Sequence, residues 1–165
     1  MKTSLIIFLF SVISLPSLMA QDYSGLEKIK FKPKEVSRAY ENKALECANY
    51  LINTPDDNDD IQRSYATLFL WNWMKATPDY GFDFENAIMK LIDRKSTLGG
   101  VYLAALVKYC LENKEKAKSP ENLNLGSAEM FLNYCKNPGN TVKITKKIKT
   151  AIDALDAGKL AEFIK

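Results

Sequence analysis

From Pro33 onward, apolar side chains return every three or four residues, the period that lays them along one helix face, and short runs rich in Pro, Gly, Asp and Asn interrupt them. Six helical segments follow from this pattern. The first covers about Pro33 to Asn53, with Val36, Tyr40, Ala44, Cys47, Ala48 and Leu51 on one face. Pro33 suits its first turn, where a missing N–H is not needed. The second covers about Asp59 to Ala76. Its stripe is Ile61, Tyr65, Leu68, Phe69 and Trp73, while Leu70, Trp71 and Met74 occupy the other sides, the mark of a buried helix. The third, about Phe84 to Lys95, is one-faced (Phe84, Ala87, Ile88, Leu91, Ile92), with Asp83 as its N-cap. In the fourth, about Leu98 to Lys118, Lys108 is the sole charge between Gly99 and Leu111. The fifth, about Asn124 to Asn137, presents Ala128, Phe131, Leu132 and Cys135, and the sixth, about Thr141 to Ala157, presents Ile144, Ile148, Ala151, Ile152 and Leu155. Gly158 ends the sixth, and Leu160 to Ile164 add a turn. The connections are short, so the expected fold is all-α, a single-domain bundle of about six antiparallel helices over residues 35–165, with the second and fourth central. Thr54-Pro55-Asp56, Thr77-Pro78-Asp79 and Ser119-Pro120-Glu121 punctuate it with one chemistry: a capping hydroxyl, a turn-starting proline and an acid for exposed N–H groups.

Upstream the period changes. In residues 21–34, Lys28, Lys30, Lys32 and Lys34 alternate with Ile29, Phe31 and Pro33, which reads as an extended, lysine-rich arm lying against the body. Residues 1–20 run from Lys2 through an almost wholly apolar stretch, Thr3 to Leu15, to Pro16 and Ala20, the pattern of a signal peptide cut after Ala20. The stretch is short for a membrane span, which needs about 20 apolar residues. No Cys follows the cut, which argues against a lipid anchor. The expected location is secreted or periplasmic, and the mature chain, Gln21 to Lys165, has no expected membrane span.

Composition narrows the chemistry. The mature chain keeps 22 basic and 20 acidic residues, a balance that gives no pull toward nucleic acid. With no histidine anywhere, Ser-His-Asp and Cys-His catalysis and the usual zinc sites are excluded. Cys47, Cys110 and Cys135 form no C-x-x-C pair. In an oxidising compartment a disulfide persists. Cys110 and Cys135 lie at similar distances on either side of a turn placed near Glu121 and Asn122, so a Cys110–Cys135 bridge is one expectation, with Cys47 a free core thiol. Three reduced core thiols are the other.

The remaining candidates each carry two readings. Asp56, Asn58 and Asp60 match the first ligands of a calcium loop, but Ile61 stands where that loop needs Gly and Thr67 where it needs Glu, which leaves an acidic helix cap. No metal or cofactor is expected. Lys143, Lys146, Lys147 and Lys149 lie opposite Ile144, Ile148 and Ile152; they form either a solvated face or, joined to the arm, a patch for an anionic partner. Trp71, Trp73, Tyr80, Phe82 and Phe84 are core or a binding platform. Thr67 and Asn72 stand out as polar residues on a helix expected to be buried. Glu112, Glu115, Glu121 and Glu129 show no spacing that marks two of them as acid and base.

Trp73 to Asp79 (W-M-K-A-T-P-D), Lys108 to Asn113 and Gly158 to Ile164 (G-K-L-A-E-F-I) make the layout similar to small secreted all-helical proteins of Bacteroidota-type bacteria that carry no assigned activity. Tyr102 to Asn137, read as helix, Cys, proline turn, Leu-Gly and second helix, resembles the Rap1a/Tai family of periplasmic immunity proteins. That resemblance implies a helical protein that blocks a secreted cell-wall amidase. The expectation is a secreted or periplasmic, non-catalytic binding protein, an inhibitor or immunity-like module whose partner is another protein. The alternative is a cell-wall-directed hydrolase using unidentified carboxylates.

Overall fold

A helix buried on nearly every side organises the structure, a computed structural model that describes residues 22–32 and 34–165 without the side chains of Lys34 and Glu35. The signal-peptide reading of residues 1–20 and the first-turn role of Pro33 lie outside the described residues. The helices are α1 (Glu41–Asn53), α2 (Ile61–Ala76), α3 (Leu98–Glu112), α4 (Pro120–Lys136), α5 (Lys146–Asp156) and α6 (Leu160–Phe163), with no strand among the described residues. Short 3-10 turns at Leu26–Lys28, Lys34–Tyr40, Met89–Leu91, Lys116–Lys118 and Pro138–Asn140 link or precede them. The fold is therefore an all-helical single domain.

The run from Val101 to Val107 is buried without a break, and α3 packs against α1, α2 and α4. Residue pairs fix the directions. Lys108 Nζ meets Asn49 and Lys114 Nζ meets Glu41, so α1 runs antiparallel to α3. Tyr109 lies against Gly126 and the Tyr102 ring against Phe131, so α4 does too. Gly126 is required by that approach, since a Cβ there would stand 1.9 Å from the Tyr109 ring.

α2 differs from its all-round apolar reading. Phe69, Leu70, Trp73 and Met74 are buried, but Ile61 and Leu68 are 57% and 49% exposed. Trp73 donates its indole N–H to the Ser37 carbonyl, and Trp71 is half-buried with its ring against Phe84. Arg63 is the buried charge of this helix. Its guanidinium donates to the Leu51 and Thr54 carbonyls and to Thr54 Oγ1, satisfying backbone oxygens that the end of α1 leaves open.

Three expectations need correction. Residues 84–95 form no α-helix, only the 3-10 turn Met89–Leu91. The Asn86 side chain donates to the Asp83 carbonyl and accepts from the Met89 N–H, taking over backbone partners that a helix would need. Asp83 still caps locally, accepting from the Glu85 N–H. The hydroxyl-proline tripeptides play opposite roles. Ser119 caps the start of α4 with Pro120 in its first turn, whereas Thr54 and Thr77 stand at the ends of α1 and α2. Finally, α1 and α5 start later than the periodicity suggests, at Glu41 and Lys146, the latter capped by Thr145 Oγ1. Gly158, with φ of 68°, closes α5 in the left-handed conformation expected of such a residue.

A lysine-rimmed groove between the arm and the second helix

The arm expected to be extended over residues 21–34 is so only at 29–32, because Leu26–Lys28 forms a 3-10 turn after the left-handed Gly25; the period-two pattern survives in that short stretch. Ile29 is half-buried, Lys30 exposed, Phe31 8% exposed and Lys32 exposed, the in-out alternation of an extended chain. Two buried aromatic residues hold it. The Tyr23 ring lies 4.9 Å from that of Tyr50, and the Tyr23 N–H donates to Gln62 Oε1. The Phe31 ring meets Tyr40 edge-on and packs on Phe69. Between these anchors the Leu26–Lys28 turn packs on α2, and the Asn72 amide donates to the Glu27 carbonyl. Asn72, singled out in the sequence as a polar residue on an apolar helix, thus fastens the arm.

Arm and helix enclose a groove of about 900 Å³, lined on one side by residues 27–32 and on the other by Asn72, Lys75 and Ala76. That size falls within the range of ligand sites, about 300–1,000 Å³. Lys28, Lys30, Lys32 and Lys75 give it four cations against one carboxylate, Glu27. Lys28 Nζ lies 3.8 Å from Glu27, Lys75 Nζ sits 5.1 Å from the centre of the Trp71 ring, and Lys30 and Lys32 form no ion pair with the described residues. Ile29, Phe31 and Ala76 make the floor apolar. The Trp71–Phe84 pair adjoins the groove through Lys75.

The other candidate residues lie elsewhere. Lys146, Lys147 and Lys149 project from the exposed face of α5 and Lys143 from the segment before it. α5 packs on α4 and α6 while the arm packs on α2, so the structure does not join these lysines to the arm as one patch. Lys149 is paired with Asp153 at 2.8 Å. In the Asp56–Asp60 run, Asp60 is the N-cap of α2 and also accepts from the Tyr50 hydroxyl. Asp56 faces Arg63 and accepts from Thr97 Oγ1, and Asp57 accepts from the Asp59 N–H. The run is a helix cap and a loop fastener. Glu112 and Glu115 are paired with Lys108 and Lys118, and Glu121 and Glu129 are exposed on α4.

The three cysteines are free and buried, which overturns the Cys110–Cys135 bridge. The pairs Tyr109–Gly126 and Tyr102–Phe131 centre the hairpin near Ala117, not near Glu121 and Asn122. Cys110 therefore faces the start of α4, and Cys135 lies nine residues past Gly126, about 13 Å farther along at 1.5 Å per residue. Burial pushes the thiols of Cys47 and Cys135 up to about 12 and that of Cys110 also upward, so none is poised as a nucleophile.

Among the described residues no helix is long and apolar enough to cross a membrane, and no three His, Cys, Asp or Glu side chains are grouped as a metal ion requires. No family model, no curated protein and no solved structure matches this chain.

Proposed function

We propose that this protein is an exported, non-catalytic binding module that holds an anionic macromolecular partner, foremost another protein, in the groove between its arm and α2. One observation carries the reading. Lys28, Lys30, Lys32 and Lys75 line a concave surface with an apolar floor, whereas the lysines of α5 belong to a helix face turned away from the core. A groove concentrates the field of its charges and excludes water from its floor, so a bound anion gains more there than beside a flat solvated face. The reading agrees with the interaction role implied by the resemblance to periplasmic immunity proteins, and it makes no demand on histidine or on a reactive thiol.

The test is fluorescence anisotropy with labelled poly-L-glutamate at low and moderate salt. The triple variant Lys30→Glu, Lys32→Glu, Lys75→Glu is expected to bind at least tenfold more weakly than the parent. Lys146→Glu, Lys147→Glu, Lys149→Glu is expected to bind within about twofold of it. Absence of binding by the parent, or equal losses in the two variants, rejects the groove as a specific site.

A further inference from the structure

Resting on the groove reading, we infer that Ile29–Lys32 is an open strand edge that recognises an extended acidic peptide by main-chain pairing. Residues 29–32 belong to no helix or turn, and Ile29 has φ of −65° and ψ of 127°, within the extended region. The N–H and C=O groups of Lys30, Phe31 and Lys32 make no hydrogen bond with the described residues. Exposed, unpaired main-chain groups of an extended segment are open to pairing with another chain. Here the segment is held by Phe31 and Tyr23 on either side of the Asn72 tie. Addition of a peptide strand to such an edge supplies partners for the groups of alternate residues, Lys30 and Lys32, and uses alternate side chains for specificity.

The side chains define the peptide. Lys30 and Lys32 point outward on the same face, about 6.6 Å apart at strand rise. A paired strand places its own alternate residues beside them, where opposite charges attract and like charges repel. The intervening residue of the peptide turns toward Phe31 and Ala76. The motif that fits is acidic, apolar, acidic, over about four residues or 13 Å. A polyphosphate or a lipid headgroup would match the lysines and leave the main-chain groups unused.

The experiment compares three probes on the purified protein: the peptide acetyl-Glu-Leu-Glu-Leu-Glu-amide, the same peptide N-methylated at alternate residues, and inorganic polyphosphate. The unmodified peptide is expected to bind, and N-methylation to weaken it at least tenfold. Lys30→Pro, which removes a main-chain donor, is expected to weaken peptide binding more than Lys30→Gln, with thermal melts confirming that both variants fold. Peptide binding indifferent to N-methylation, or binding of polyphosphate without the peptide, overturns the pairing and leaves the groove standing. Failure of all three probes removes the groove reading as well.

Discussion

Two surfaces of this protein are built on lysine, and what lies beneath each sets them apart. On α5, Lys146, Lys147 and Lys149 project opposite Ile148 and Ala151, which are buried against the bundle. The helix spends its apolar residues on docking, and its lysines keep it soluble on the other side. In the arm, Lys30 and Lys32 also project opposite the buried Phe31, but the chain there is extended and borders a groove beside α2. Backbone groups that a helix satisfies internally are left open in the arm. On the proposed reading the same residue type serves solvation in one place and recognition in the other, and secondary structure makes the difference.

The largest expected effect comes from cutting the arm loose. Phe31→Ala removes a buried ring that packs on Tyr40 and Phe69. Core Phe→Ala changes cost about 3–5 kcal/mol. Urea denaturation is expected to show a loss at the low end of that range, and poly-L-glutamate binding is expected to vanish at temperatures where the bundle remains folded. A variant that keeps both full stability and full binding would mean that the arm is not held by Phe31. The mirror experiment on α5 is Ile148→Ala. Ile148 is buried, but α5 packs chiefly on α4 and α6, so the cost should fall near 2 kcal/mol of the usual 2–5. Anion binding should be unchanged, because α5 contributes nothing to the groove.

How much of this was legible in the chain follows from where each signal sits. The four long helices of the core announce themselves by apolar period, and the all-round apolarity of α3 marks it as central. The arm was legible too, as lysine alternating with Ile29 and Phe31. Its groove was not, because Asn72, Lys75 and the Phe31 contacts with Tyr40 and Phe69 join segments far apart in the chain. The period over Phe84 to Ile92 misled because one side chain, Asn86, competes with the helix it sits in. The cysteine pairing failed on a turn centre misplaced by about five residues. In an antiparallel hairpin such an error doubles, which is enough to separate Cys110 from Cys135.

Raising the pH acts on the buried thiols of the core. The folded thiols of Cys47 and Cys135 titrate near 12 because burial disfavours the thiolate. Unfolded thiols titrate near 8.5. Above that value the unfolded chain holds fewer protons than the folded one, so stability is fully present below about pH 8.5 and is lost as pH rises toward 12. Each such thiol costs up to about 1.4 kcal/mol per pH unit in that window. The melting temperature should be level between pH 7 and 8 and fall steadily above 9, with the Cys47→Ser, Cys135→Ser variant falling less steeply. A melting temperature unchanged to pH 11 contradicts the buried thiols.

The smallest expected effect tests whether charge or the ring fixes the arm. Just after the arm, Arg38 makes a two-pronged contact with Asp79 at 2.7 Å, tying the Lys34–Tyr40 turn to the loop that follows α2. The Arg38 guanidinium holds the Asp79 carboxyl below its ordinary value of 3.8. The folded state therefore binds that proton less tightly than the unfolded chain. The contribution is present above pH 4 and is lost as pH falls through the folded value. Both side chains are well exposed, 56% and 34%, so solvent and salt screen the pair. Its worth is at most about 1 kcal/mol. Asp79→Asn should lower stability by less than that, and the difference from the parent should shrink in 0.5 M salt and below pH 3. Acidic-peptide binding should hold within about twofold, since the Phe31 ring keeps the arm in place. A loss of binding as large as that of Phe31→Ala would move the anchor of the groove from the aromatic cluster to the ion pair, and the contrast between the two lysine surfaces would then rest on charge rather than on packing.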